Sequence, residues 1–268
     1  RRQRQMCTRD RINAIIPVLI VPYYSVIGGW VIKYLVEYIK GNSQGLATDD
    51  YFSTFISDGV STEVCFLFFT LLTLMIIYAG VQNGVERVSK FMMPILVFLS
   101  VIIVIYSVTR PGALEGVKYF LVPNIKNFSW MTVVAAMGQM FYSLSIAMGI
   151  LVTFGSYMKK DVSIEGSTTN VEIFDTAIAM MAGLMIIPAV FVFLGTEGMA
   201  SGPSLTFISL PKVFEAMGGL GRIIGIAFFL MLAFAALTSC VSVMETLVAN
   251  CMAVSYTHLR AHETRGNL

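Results

Sequence analysis

Long apolar stretches are the feature that most constrains the fold of this chain. Each approaches or exceeds the roughly 20 residues that an α-helix needs to cross the hydrocarbon core of a bilayer. Only 13% of the 268 residues are charged and 56% are hydrophobic, whereas soluble domains carry about 25% charged residues. Because lipid cannot hydrogen-bond the backbone, we predict an all-α integral membrane protein. The six predicted spans cover about 12–38, 63–80, 91–108, 130–158, 171–194 and 222–254.

The fourth predicted span is interrupted by small and polar residues. Ser143, Ser145, Ala147 and Gly149 lie in the middle of AAMGQMFYSLSIAMGILVTFGSY. Such a weak point is tolerated at membrane depth only where it packs on protein or lines a wet cavity. Many secondary transporters build their substrate and ion sites from helices broken in this way. We therefore predict one discontinuous helix over about 130–158.

Two further segments depart from the regular pattern of spans. The stretch from about 196 to 220 is apolar but too punctuated by Gly and Pro to cross a bilayer, so we predict a re-entrant hairpin packed on the protein. Lys and Arg near the span ends slightly favour a cytoplasmic start, which makes this hairpin extracellular. The end of the chain, 255–268, breaks abruptly from the apolar pattern, and we predict that it is a non-native tail.

Several classes of function are disfavoured by the composition. The four cysteines are scattered without a CxxC spacing, so neither a structural metal nor a disulfide framework is indicated. Both histidines lie in the predicted tail, and no nucleophile–base pair can be assembled without them. We therefore predict that the chain is not an enzyme. A net charge of +2 is too small to indicate a nucleic-acid partner.

Polar side chains inside the spans are candidate functional residues because they are costly in lipid. Asp175 lies inside the fifth span; the alternative is that it is close enough to the cytoplasmic end to be hydrated. The polar residues of the sixth span share one helical face, which suits either a hard cation or a helix-packing seam. The candidates are Gln139, Tyr142, Ser143 and Ser145 in the fourth span, and Ala235, Thr238, Ser239, Ser242 and Thr246 in the sixth.

Four segments carry a family resemblance: YYSVIGGW, GVQNGVERVSKFMMP, GQMFYSLSIAMGILVTFGSYMKKD and LTSCVSVME. They resemble the neurotransmitter:sodium symporter family, in particular its prokaryotic amino-acid transporters with the leucine-transporter fold. The resemblance runs in order from residue 1 to about 254. It implies helices three to eight of an inverted-repeat bundle of eleven or twelve helices, with 196–220 as the extracellular gate hairpin. It also implies a fragment that lacks its partner helices and does not transport alone.

The resemblance implies a role for each residue of a substrate site. Tyr24 would give its hydroxyl to the substrate carboxylate, and Ser145 would offer backbone groups from the unwound segment. Tyr142 would be an aromatic lid over the substrate, with Gln139 just outside it in the gate. The side-chain pocket would be lined by Ile20, Met148, Ser239 and Val243.

The resemblance also implies two sodium sites. Ser143 and Asp175 would belong to the first site. The second would use the Ala235 carbonyl with Thr238 and Ser239. Because the Asp175 carboxylate supplies a fixed negative charge, we predict that chloride is not required.

These features together predict a sodium-coupled symporter that takes up an apolar or aromatic amino acid by alternating access. Its partners would be the amino acid and the lipid bilayer, and its place the cell (inner or plasma) membrane as a multi-pass protein. Two alternatives remain at this stage. One is a transporter of the same fold for another small solute. The other is a membrane scaffold or channel in which the small residues only pack helices.

Overall fold

The computed structural model describes residues 15–123, 125, 128–158, 162–195 and 202–255. These residues form helices joined by short connections, and no strand occurs among them. The predicted all-α fold is thereby confirmed. The predicted tail lies outside the described residues except for Ser255, and the first six residues of the predicted hairpin, 196–201, also lie outside them.

The first half of the described chain consists of two long helices, short connecting helices and a third long helix with a wide first turn. A π-helical turn, Val81–Glu86, leads into the third long helix. The helices are α1 (Ile15–Lys40), α2 (Ser43–Leu46), α3 (Asp49–Ser57), α4 (Gly59–Tyr78), α5 (Arg87–Val108) and α6 (Ala113–Leu121).

The second half contains the broken helix and the two longest helices. A 3₁₀ turn, Ile146–Met148, separates the two pieces of the broken helix, and a π-helical turn, Leu205–Ser209, begins the described part of the hairpin. The helices are α7 (Trp130–Ser143), α8 (Ile150–Tyr157), α9 (Ile164–Leu194), α10 (Leu210–Ala216) and α11 (Gly219–Ser255).

Five uninterrupted helical segments of the described chain are long and apolar enough to cross a bilayer. The region predicted as the fourth span is not among them because it is split into pieces of 14 and 8 residues, each shorter than the roughly 20 residues required. The predicted discontinuous helix is therefore seen directly in the backbone. The five segments are Ile15–Lys40, Gly59–Tyr78, Gly84–Val108, Ile164–Leu194 and Gly219–Met252.

Helix α9 begins earlier than the predicted fifth span. The Ser163 hydroxyl accepts a hydrogen bond from the Gly166 backbone N–H at 3.2 Å and starts the helix there. Asp175 is consequently the twelfth residue of α9, about 16 Å along its axis at 1.5 Å per residue.

Helices α1 and α4 cross closely at a pair of glycines. A side chain on Gly29 would meet the backbone N of Phe66 at 2.9 Å, and the Phe69 ring lies directly over Gly28. Phe69 is fully buried. Small residues that let two backbones approach are a common device of membrane helix pairs, so the GG pair sets the position of α1 against α4.

Aromatic rings fasten the hairpin to α1, α3 and α11. The Phe207 ring stacks on Phe52 at 5.3 Å between centroids and meets Trp30 edge-on at 5.7 Å. Tyr34 lies between Phe207 and Phe229, and its hydroxyl donates to the Phe207 carbonyl at 2.9 Å. Aromatic pairs of this kind contribute about 0.5–1.5 kcal/mol each beyond burial. The hairpin is thus held as part of the core.

Two basic side chains from α10 and α11 also hold these helices together. Arg222, near the start of α11, donates from Nε to the Tyr38 carbonyl at 3.2 Å and from Nη2 to the Ile39 carbonyl at 2.7 Å. Arg222 thus donates to two carbonyls in the last turn of α1, where a basic side chain also interacts favourably with the helix dipole. Lys212 of α10 forms an ion pair with Asp49 of α3. Helices α1 and α11 and the hairpin therefore form one framework.

The close glycine crossing yields a prediction for Gly29→Leu. A leucine there collides with the α4 backbone, which cannot yield as a flexible side chain would, so we expect a loss of about 1–3 kcal/mol in the free energy of unfolding. Gly59→Leu is the matched control because a side chain there meets nothing within 4 Å. Thermal unfolding in detergent micelles measures both. Equal stability of the two variants would contradict the crossing.

Candidate substrate and ion site

The break between α7 and α8 is built from two left-handed residues. Ser145 has φ 55° and ψ 26°, and Gly149 has φ 75° and ψ −1°. Glycine adopts this conformation without strain, but a residue with a side chain pays about 1–2 kcal/mol. Ser145 is the non-glycine residue with positive φ among those described. The regular helix is therefore interrupted at the serine predicted to lie in the unwound segment.

The tip of α7 is held by two adjacent hydroxyls that reach different helices. Tyr142 donates from its hydroxyl to the Tyr24 hydroxyl of α1 at 3.3 Å. Ser143 donates to the Asp175 carboxylate of α9 at 2.8 Å. None of the residues of α7 is buried, and these two hydrogen bonds link its tip to α1 and α9.

A cavity of about 370 Å³ lies between α1, the α7 tip, α11 and the hairpin. Helix α1 lines it from Tyr23 to Val31 and α11 from Leu232 to Ser239, lengths of about 12 Å and about 10 Å along the two helices. Tyr142 closes one side, and Thr206 and Phe207 cover it from the hairpin. Its volume falls in the range of small-molecule sites.

The described lining of this cavity contains no charged side chain. Its polar groups are the hydroxyls of Tyr23, Tyr24, Tyr142, Thr206 and Ser239. The other lining residues are aliphatic, aromatic or backbone-only. A ligand with an apolar part is therefore favoured, and any charge on it must be met by backbone groups, by hydroxyls or by an ion.

The cavity brings together some of the predicted site residues and leaves others outside its lining. Tyr24, Tyr142, Ala235 and Ser239 line it. Ile20 is half-buried, and Met148 and Val243 are buried in the packing next to it. Gln139, Ser145 and Thr238 also lie outside the lining; Gln139 is exposed on α7, and Ser145 and Thr238 are half-buried.

Hydroxyls on α11 leave their oxygen lone pairs available. Thr238 donates its single proton to the carbonyls of Phe234 and Ala235, at 3.0 and 3.1 Å. Ser242 donates to the Thr238 carbonyl at 2.9 Å. Because a hydroxyl that donates inside its own helix still has two lone pairs, Thr238 presents an oxygen atom of the kind that hard cations prefer.

The other end of the broken helix is held by a buried carboxylate. Tyr157, the last residue of α8, donates to Glu245 of α11 at 2.9 Å. Glu245 is only 6% exposed, so it is not a solvated residue at the inner end of a span. The sequence indicates nothing of this contact, because the two residues are 88 positions apart.

Several residues that line the cavity were not among the predicted site residues. Ile27 and Val31 lie one and two turns beyond Tyr24, and Leu232 and Ala236 share the face of α11 with Ser239. Helical periodicity could have identified these four. No periodic signal could have identified Thr206, because it reaches the cavity from the hairpin.

Comparison with a family model matches residues 52–265 to the sodium:neurotransmitter symporter family. The chain is 39% identical over 234 residues to the uncharacterized sodium-dependent transporter YhdH of Bacillus subtilis, covering 86% of this chain and 51% of that protein. It is 35% identical over 236 residues to an uncharacterized sodium-dependent transporter of Haemophilus influenzae, covering 85% and 51%. The chain thus spans about half the length of the curated relatives it matches.

A solved structure has the same fold. The crystal structure of MhsT in complex with L-phenylalanine superposes with a TM-score of 0.78 and 38% identity, covering 90% of this chain and 55% of that one. More distant similarity extends to the sodium- and chloride-dependent glycine transporter 2 of Xenopus laevis, 29% identical over 194 residues, or 69% of this chain and 24% of that protein.

The positive φ of Ser145 predicts that a Ser→Gly substitution raises the free energy of unfolding at this position, although it lowers that free energy within a regular helix. Ser145→Gly relieves a strained conformation, so we expect the free energy of unfolding to rise by up to about 1 kcal/mol. Ser53→Gly, on the exposed face of α3, is expected to lower it by about 0.5–1 kcal/mol. Thermal unfolding followed by circular dichroism compares the two variants. A loss at Ser145 as large as that at Ser53 would exclude the strained turn.

Proposed function

The chain belongs to the sodium:neurotransmitter symporter family, and on that basis we propose that it is part of a sodium-coupled symporter that takes up an apolar or aromatic amino acid. The family and fold are those of multi-pass membrane transporters and not of enzymes. The observation that carries the proposal is the α7 tip, whose adjacent hydroxyls face Tyr24 on one side and Asp175 on the other. The proposed location is the plasma membrane.

The proposed substrate site combines hydroxyls, open backbone and an apolar pocket. Tyr24 donates to the amino-acid carboxylate, and the backbone at Ser145 meets its polar groups. Tyr142 covers the substrate, and Gln139 lies just outside it. Ile20, Met148, Ser239 and Val243 surround the side chain. The described lining of the cavity, which carries no charged side chain, supports an apolar substrate side chain, as does the L-phenylalanine named with the MhsT structure.

The proposed sodium sites use oxygen ligands on three helices. Ser143 and Asp175 bind the first ion, and their 2.8 Å contact supports this assignment because it already assembles a carboxylate and a hydroxyl. The Ala235 carbonyl, Thr238 and Ser239 bind the second. The family name supports sodium as the co-transported ion.

In the proposed mechanism, sodium stabilises the state in which the amino-acid site is complete. Each ligand shifts the equilibrium between the two states only by its difference in affinity for them. The ion gradient then drives uptake as the site opens alternately to either side.

Uptake in proteoliposomes tests the proposed function. The protein is the full-length transporter that carries this sequence, and the solutes are L-phenylalanine, L-leucine, L-glutamate and L-lysine. We expect uptake of the first two that requires an inward sodium gradient, and no such uptake by the 268-residue chain alone, because the relatives are about twice as long. Sodium-dependent uptake of only a charged amino acid would overturn the substrate class. Uptake by the chain alone would overturn its role as a part.

The Asp175 carboxylate predicts that uptake does not depend on chloride. With its fixed carboxylate, the unmodified transporter should take up amino acid equally well in chloride and in gluconate. Asp175→Asn removes the hydrogen-bonded charge, and we expect its apparent sodium affinity to fall by about tenfold in gluconate. Glu172→Gln, an exposed carboxylate one turn earlier on α9, should leave that affinity unchanged. Strong loss of uptake without chloride in the unmodified protein would refute the assignment.

A further inference from the structure

The contact between Tyr142 and Tyr24 joins two groups that each have one proton to give. Tyr142 is the donor, and the Tyr24 oxygen is the acceptor at 3.3 Å. A phenol carries a single O–H and accepts with its lone pairs. Because the Tyr24 oxygen accepts the hydrogen bond from Tyr142, the O–H of Tyr24 is left to donate to another acceptor.

The direction of this hydrogen bond matches the needs of an anionic ligand. An ionised carboxylate only accepts hydrogen bonds, so a tyrosine that binds it must donate. Among the described lining residues, no charged side chain is present to bind a carboxylate. The orientation of the Tyr24 proton is therefore decisive for this end of the ligand.

We infer that Tyr142 is a positioning residue that acts through its hydroxyl: by donating to the Tyr24 oxygen, it directs the Tyr24 proton towards the carboxylate of a bound amino acid. This role is separate from that of the Tyr142 ring as a lid, and it rests on the proposed function. Hydrogen bonds in such a chain also polarise one another, which strengthens the donor that faces the ligand.

Tyr142 and Tyr24 lie in parts of the structure that differ in how tightly they are packed. Tyr142 is 42% exposed and lies on the last turn of α7, whereas Tyr24 is half-buried on α1. The donor thus belongs to the tip, and the acceptor to the packed framework. Bringing the tip to α1 sets the Tyr24 proton in place before the amino acid binds.

Binding of radiolabelled L-phenylalanine and L-leucine to the full-length transporter in sodium tests the inference. Tyr142→Phe keeps the ring and removes the donor, and we expect the Kd to rise about two- to fivefold. The decisive measurement is the double variant. In a Tyr24→Phe background, Tyr142→Phe should change the Kd no further, because its effect passes through the Tyr24 hydroxyl.

Tyr119→Phe is the matched control, since it removes a tyrosine hydroxyl that does not line the cavity, and it should leave the Kd unchanged. An unchanged Kd in Tyr142→Phe, or effects of Tyr24→Phe and Tyr142→Phe that simply add, would overturn the inference while leaving the proposed function intact. If the unmodified transporter binds neither amino acid in sodium, the proposed function fails, and the inference falls with it. Equal melting temperatures of the variants establish that folding is unaffected.

Discussion

The hydrogen bonds that a broken backbone must find inside a membrane are the constraint on which this structure depends. In lipid an unpaired amide costs several kcal/mol. The turn between α7 and α8 meets part of this demand itself, because Ser145 N–H bonds the Tyr142 carbonyl at 3.1 Å and Met148 N–H bonds the Ser145 carbonyl at 3.3 Å. Carbonyls have a second lone pair, so the turn can still receive a cation or an ammonium group. The break is for this reason a natural place for polar cargo.

The packing around the break divides the molecule into a fixed part and a lightly held part. Helices α1 and α11 are locked together with the hairpin by buried rings, by the Tyr34 hydroxyl and by Arg222. The tip of α7 makes two hydroxyl contacts, worth about 1 kcal/mol for the neutral pair with Tyr24 and about 1.5–3 kcal/mol for the bond to the Asp175 carboxylate. Binding a small solute or an ion involves energies at least as large.

The parts of the site that could be predicted from the sequence are those encoded in short segments. The apolar runs and the interruption at Ser143–Gly149 identify the membrane fold and its broken helix. The resemblance places Tyr24 and Tyr142 around one substrate, and Ser143 and Asp175 at one sodium site. Contacts between distant positions could not be predicted. Tyr34 with Phe207 and Tyr157 with Glu245 depend on how helices far apart in sequence are packed. The early start of α9 was missed because hydropathy reports burial in lipid, whereas Ser163 begins the helix by hydrogen bonding.

The absence of charged side chains from the described part of the cavity lining has a consequence for coupling. A buried carboxylate is costly unless it is paired and hydrogen-bonded, and in the proposed arrangement its charge partner is the sodium ion carried with it. Each ligand then raises the affinity for the other by the same factor. Tyr142 and Ser143 are consecutive, so the proposed ion ligand and the residue that orients Tyr24 belong to one turn of helix. Whichever ligand orders that turn first lowers the entropy cost for the second. Coupling of this kind requires no ion pair within the protein. It requires only that both ligands order the same helix tip.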